Sequence, residues 1–219
     1  MNLNPADAVA SQPAVRVRDV SMDFGTGTLG DMGCHILDPV FGAIGLGAPI
    51  SVRSAGPAPN KWNWAVDGKV IYTFAATPMT TENELPLTWY DGGAKPSGEV
   101  LALLDGAQIP DQGSLFVGTD GVMLLPHIAG PAFFPTAKFK DYQPPAAAEV
   151  NHWESFVEAC RGNGKTGADF AYAGPLTEAI LLGGIASRFP QKTLAWNSKE
   201  LSFDLPDANP FVHPVYRKG

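Results

Sequence analysis

The chain has 219 residues, enough for one large core or two small ones, and its 45% hydrophobic and 17% charged composition is that of a globular protein. A formal net charge of −7 with no basic run excludes a nucleic-acid surface as the main function. No stretch is long and apolar enough to cross a bilayer, and 24 glycines and 20 prolines predict many turns between short elements.

Residues 1–15, MNLNPADAVASQPAV, lack the basic start and apolar run of a signal peptide and read as a loose leader, so a cytoplasmic protein is the expectation. VRVRDV, residues 15–20, alternates like a short edge strand. Residues 1–22 are therefore read as leader and edge segment, and residues 23–219 as one domain.

Residues 25–39, GTGTLGDMGCHILDP, open the first helix, predicted over 28–46. Thr28 is a candidate N-cap, with Asp31 three residues later at the capping-box spacing. His35 follows Asp31 by one turn, so the two share a face, and Asp38 can reach the same flank. A carboxylate and an imidazole one turn apart can bind a sugar hydroxyl and move its proton. A capped helix with a solvated histidine is the other reading of the same residues. Pro39 predicts a kink or break after Asp38, and Gly45 and Gly47 end the helix.

Strands are predicted at 50–55, at 70–77 (VIYTFAAT) and at 85–91 (LPLTWYD), on alternation and β-branched and aromatic content. Residues 92–112 read as a loop with one helical turn, and 114–127 as a hairpin turning at TDG. Residues 131–148 look irregular. An amphipathic helix follows near 150–161, with Trp153, Phe156, Val157 and Cys160 at helical spacing. A further helix at 174–188 places Pro175 near its first turn and Leu176, Ile180, Leu181 and Ile185 on one stripe. TLAWN and LSFDL are short late strands. Cys34 and Cys160 sit in helical segments and are expected as buried free thiols. Strands in runs without βαβ units predict an α+β fold, an open, largely antiparallel sheet with helices packed on one face.

Two segments carry a resemblance. GDMGCHILD (30–38) is similar to the GGxxxDxxxH segment of the Gfo/Idh/MocA oxidoreductases, the family of glucose–fructose oxidoreductase and inositol dehydrogenase, and DFAYAGPLTEAILLGGIASR (169–188) resembles a later block of the same family. The resemblance runs from about Asp23 to the end and covers the C-terminal half of the family's chain, not its nucleotide-binding half. It implies the C-terminal substrate-binding and oligomerisation domain of an NAD(P)-dependent sugar or polyol oxidoreductase, associating through the open sheet face. His35 would be the acid/base for the reacting hydroxyl, with Asp31 binding the sugar and steering the imidazole. The family's E-K-P lysine has no counterpart: Lys95-Pro96 follows Ala94 and lies after the histidine helix. This chain alone is therefore expected to bind neither NAD nor NADP and to oxidise nothing by itself. The alternative is a stand-alone sugar-binding or self-association module without redox activity.

Other features are weighed against these. GTGTLG (25–30) matches G-x-G-x-x-G, with Arg53 downstream for a 2′-phosphate, but no βαβαβ follows and the match is read as coincidental. Asp31, His35, His127 and His152 lack metal-ligand spacing beyond one i,i+4 pair. His152 before its helix, and Tyr172 opening the next, are candidate sugar contacts, each with a structural role as the plainer reading. Trp62, Trp64 and Trp89 would suit a sugar-stacking surface or a core. Val70, Tyr72, Phe74 and Trp89 are expected to expose apolar strand surface to a second subunit.

Overall fold

The structure is a computed structural model that describes residues 26–61, 64–146 and 150–216. The 1–22 leader and the VRVRDV strand lie outside the described residues.

The first helical stretch folds as two helices, α1 (Gly27–Ile36) and α2 (Asp38–Ile44), joined at Leu37. Pro39 takes the first turn of α2, where the missing N–H costs nothing, so the break precedes Asp38 instead of following it. The expected capping box does not form. Gly27, at φ 67°, turns against the Trp64 side chain, where an added Cβ would come within 3.1 Å. That turn starts α1 before Thr28, leaving Thr28 inside the helix and Asp31 beyond its first turn.

The chain continues through β1 (Ser51–Ser54), β2 (Lys69–Ala75), β3 (Glu84–Tyr90), α3 (Gly98–Leu101), β4 (Gly113–Val117), β5 (Val122–Pro126), β6 (Ala132–Phe134) and α4 (Thr136–Phe139). It ends with α5 (His152–Cys160), α6 (Phe170–Ala186), β7 (Thr193–Asn197), β8 (Ser202–Phe203) and α7 (Asn209–Val212). The fold is α+β, as the run of strands predicts. A five-stranded sheet has the order β3-β2-β1-β7-β8 with every described pairing antiparallel, and β4-β5-β6 form a separate meander. Residues 131–148 thus contain a strand and a helical turn, not only irregular chain. No helix among the described residues is long and apolar enough to cross a membrane.

Register puts one set of side chains under the helices. Val52 pairs with Tyr72 and Leu194, Val70 with Trp89, and Trp196 with Phe203. Residues directly opposite point to the same face, and these form the main core with Leu29, Phe41, Leu176, Ala179 and Ile180 from the helices. This corrects the expectation for Val70, Tyr72, Phe74 and Trp89. They are buried against α1, α2 and α6, at 6% exposure or less, because α6 and α1 cover that face. The open face carries Ser51, Arg53, Ile71, Thr73 and Thr88 instead. Trp89 is held there by its Nε1, which donates to Asp91 Oδ2 at 2.8 Å.

α6 is longer than expected, beginning at Phe170 under an Asp169 cap and holding Pro175 in its interior. Its buried stripe is Leu176, Ala179, Ile180, Leu182, Gly183 and Ala186, while Leu181 is half exposed. α5 forms where the periodicity predicts, with Asn151 Oδ1 accepting from the amides of Trp153 and Glu154, but none of its residues is buried. Cys34 and Cys160 are both exposed, not buried, Cys34 on the outer side of α1 and Cys160 on a helix with no buried residue.

Gly183 is where α6, α1 and β2 converge. A Cβ there would overlap the Tyr72 hydroxyl and lie 2.6 Å from Leu29 Cδ2. The Tyr72 hydroxyl is fully buried with no hydrogen-bond partner among the described residues, and burial pushes its pKa well above the usual tyrosine range. Gly183→Ala is expected to cost about 1–3 kcal/mol in urea unfolding, the usual range for overpacking. Tyr72→Phe is expected to stabilise by about 1 kcal/mol, because it removes an unsatisfied buried hydroxyl, and to reduce the cost of the alanine. A Tyr72→Phe variant less stable than wild type would show that the hydroxyl is satisfied.

Candidate functional site

Asp31, Cys34, His35 and Asp38 lie on the outer side of α1 and at the start of α2, all exposed. Their opposite side is fixed by packing: Gly33 lies against Ile180 of α6, where a Cβ would come within 3.1 Å of the Ile180 side chain. That contact aims Asp31 and His35 outward one turn apart, as the spacing predicts. Cys34 Sγ stays local, 3.6 Å from the Asp31 carbonyl oxygen.

Two tethers arrive from elsewhere in the chain. Tyr172, in the first turn of α6, lies 2.7 Å from Asp38 Oδ1 and 2.9 Å from the Asp38 carbonyl through its hydroxyl. It donates its single proton to this pair of acceptors and ties α6 to the α1–α2 joint. Burial, then the hydrogen bond and charge of Asp38, push the Tyr172 pKa up to about 12. The second tether is Ser114 of β4, whose hydroxyl donates to the Ile36 carbonyl at 2.7 Å, satisfying an orphan acceptor at the end of α1. It brings the small sheet against α1. His127, just after β5, then packs its ring edge-on to His35 with centroids 5.5 Å apart, while its own amide donates to the Gln112 carbonyl at 3.0 Å.

The sequence-predicted candidates therefore divide. Asp31, His35 and the Asp38–Tyr172 pair are assembled around one helix pair. His152 is exposed at the start of α5, with no hydrogen bond or ring contact to α1 among the described residues. His127, considered in the sequence only as a metal ligand, is brought to His35 by long-range packing that no local spacing signals. No group of three or more potential metal ligands occurs among the described residues. Of the three tryptophans, Trp62 lies outside the described residues, Trp89 is core, and Trp64 lies beneath the Arg188 guanidinium, which is 5.0 Å from its ring centroid.

Among the described residues, the GTGTLG match and Arg53 are not arranged as a dinucleotide fingerprint. Gly27 and Gly30 lie within α1, the sheet is antiparallel, and Arg53 on β1 donates to Gln191 Oε1 at 2.9 Å. A concavity of about 740 Å³ runs along a different face of α6 and is lined by none of Asp31, His35, His127, His152 or Tyr172.

The Tyr172–Asp38 tether predicts an alkaline signature. The tyrosine pKa is raised in the fold above its unfolded value near 10. The stability it contributes is therefore fully present below about pH 10 and is lost as pH rises toward 12. Urea unfolding of wild type and Tyr172→Phe is expected to show a difference that is constant from pH 7 to 9 and shrinks above pH 10. A difference that does not change with pH would mean that the hydroxyl contributes no such bond.

Compared with protein-family models and with curated proteins, the chain matches none.

Proposed function

We propose that the chain is the substrate-binding and association domain of a cytoplasmic NAD(P)-dependent oxidoreductase acting on a sugar or polyol. The observation that carries this reading is the outer face of α1. Asp31 and His35 stand exposed one turn apart, His127 is packed against His35, and Tyr172 fixes the joint beyond them. A polyhydroxylated ligand needs several acceptors and donors in a fixed array, and this face presents carboxylate and imidazole groups on packed secondary structure.

His35 is assigned the proton of the reacting hydroxyl, since an imidazole exchanges protons near neutral pH. Asp31 accepts from a neighbouring hydroxyl and holds the substrate against the imidazole. NAD or NADP is assigned to the nucleotide-binding domain of the full-length oxidoreductase. The open sheet face, with Arg53, Ile71, Thr73 and Thr88, is assigned to association between copies.

Titration with a panel of aldoses and polyols, read by the ring proton signals of the four histidines, tests the binding role. Signals of His35 and His127 are expected to shift saturably. His213, whose Nε2 lies 3.0 Å from the Leu201 carbonyl, is expected to stay unchanged. No shift of either His35 or His127 with any member of the panel would remove the sugar assignment. Within a polypeptide carrying a nucleotide-binding domain, His35→Ala is expected to lower kcat by about 10²–10⁴-fold and leave the cofactor Kd unchanged. Near wild-type turnover would leave His35 an ordinary surface histidine.

A further inference from the structure

Two apolar surfaces stand exposed among the described residues, and they match each other. The first is α5. Trp153, Phe156 and Val157 stand at i, i+3 and i+4 and are 85, 60 and 43% exposed. No residue of α5 belongs to either core cluster. An amphipathic helix normally turns such a stripe toward a core, so a stripe facing solvent marks an interaction surface.

The second surface is the 740 Å³ groove on α6. Its floor is the outward stripe Ala173, Thr177, Leu181 and Ile185, and Leu201 and Phe211 stand at its sides. Leu181 is 50% and Phe211 46% exposed. A Cβ on Gly174 would meet nothing within 4 Å, so a second helix can approach the α6 backbone closely.

Charge fits as well. Arg188 lines the groove with its guanidinium stacked between Trp64 and Phe211, at 5.0 and 4.9 Å from the ring centroids. It has no carboxylate partner among the described residues, and Glu154 in the first turn of α5 has no cationic one. The remaining acid of α5, Glu158, is already held by Arg161 and Asn163 at 2.7 and 2.8 Å.

We propose that α5 of one copy of this chain docks in the α6 groove of a second copy, reciprocally about a two-fold axis. The mode is helix-in-groove recognition, with Trp153 and Phe156 as the anchors. A second copy is favoured over α5's own chain by the turn that follows α5. Gly162 leaves the helix at φ 83°, and the amides of Gly162 and Asn163 donate back to the carbonyls of Ala159 and Glu158. These bonds end α5 at Cys160, and none of its residues lines the groove of its own chain. Buried aromatics contribute roughly 150–250 Å² each. Two reciprocal contacts therefore reach on the order of 1,000 Å², enough for a specific interface.

The contact uses none of Asp31, His35 or Tyr172, so sugar binding is expected to be the same in every variant below. Sedimentation equilibrium is run on the full chain carrying Ile71→Glu, which disables the open sheet face, with Thr73→Lys as the substitute if circular dichroism shows loss of fold. A dimer is expected in this background. Trp153→Glu combined with Phe156→Glu, and separately Leu181→Glu, are expected to convert it to monomer with the circular dichroism unchanged. Glu154→Arg and Arg188→Glu are each expected to weaken the dimer about tenfold, and together to restore it to within about threefold. A monomer at every concentration up to about 100 µM, or a dimer that survives both the α5 and the α6 substitutions, overturns the proposal. A concentration-independent change in Trp64 and Trp196 fluorescence on substituting α5 also overturns it, because that places the helix in its own groove.

Discussion

The close approach at Gly183 is the constraint on which the rest of the molecule depends. Leu29 of α1, the backbone of α6 and the Tyr72 ring of β2 meet there, with no room for a side chain on the glycine. Close-packed interiors tolerate little change in volume, so the missing Cβ sets the distance between the helix layer and the sheet. The buried hydroxyl of Tyr72 has no hydrogen-bond partner among the described residues at this junction, a cost of burial that close packing around the ring offsets. Gly33 repeats the device one layer out, letting α1 settle on Ile180.

That layering decides what the outer face of α1 can present. Once Leu29, Gly33 and Ile36 are buried, the 3.6-residue period leaves Asp31, Cys34 and His35 outside. The joint at Leu37 then carries Asp38 to the Tyr172 hydroxyl. Both helix ends are closed from a distance: Ser114 donates to the Ile36 carbonyl, and Thr77 Oγ1 donates to the Ile44 carbonyl at 2.7 Å. The candidate site is thus made of ordinary helix surface held by unusually distant hydrogen bonds.

Much of this was legible in the sequence, and the rest was hidden for physical reasons. Alternation and β-branched content located β1, β2, β3, β7 and the β4–β5 hairpin, because strand period is a local property. The one-turn relation of Asp31 to His35 followed from helix geometry alone. Which face of β2 and β3 would be covered did not, since alternation marks two faces without saying where α6 will lie. The cap at Thr28 failed because Trp64, far along the chain, fixes the turn at Gly27. His127 reached His35 through a hydroxyl on β4, and no pattern near residue 127 records that contact. On α5 the period was right and the assumed burial was wrong, because amphipathicity announces a partner without naming it.

The two hydrophobic clusters differ greatly in size: among the described residues the main core holds nineteen buried residues, and the β4-β5-β6 meander has Leu104, Val122, Leu124 and Phe134. Opening free energies within a protein tend to follow such local burial, so the small meander is expected to open more readily than the five-stranded sheet. His127 rides on the meander, whereas His35 rides on the main core. The imidazole pair therefore spans the boundary between the two hydrophobic clusters. Local opening of the meander is enough to part the two rings, with no need to unfold the five-stranded sheet.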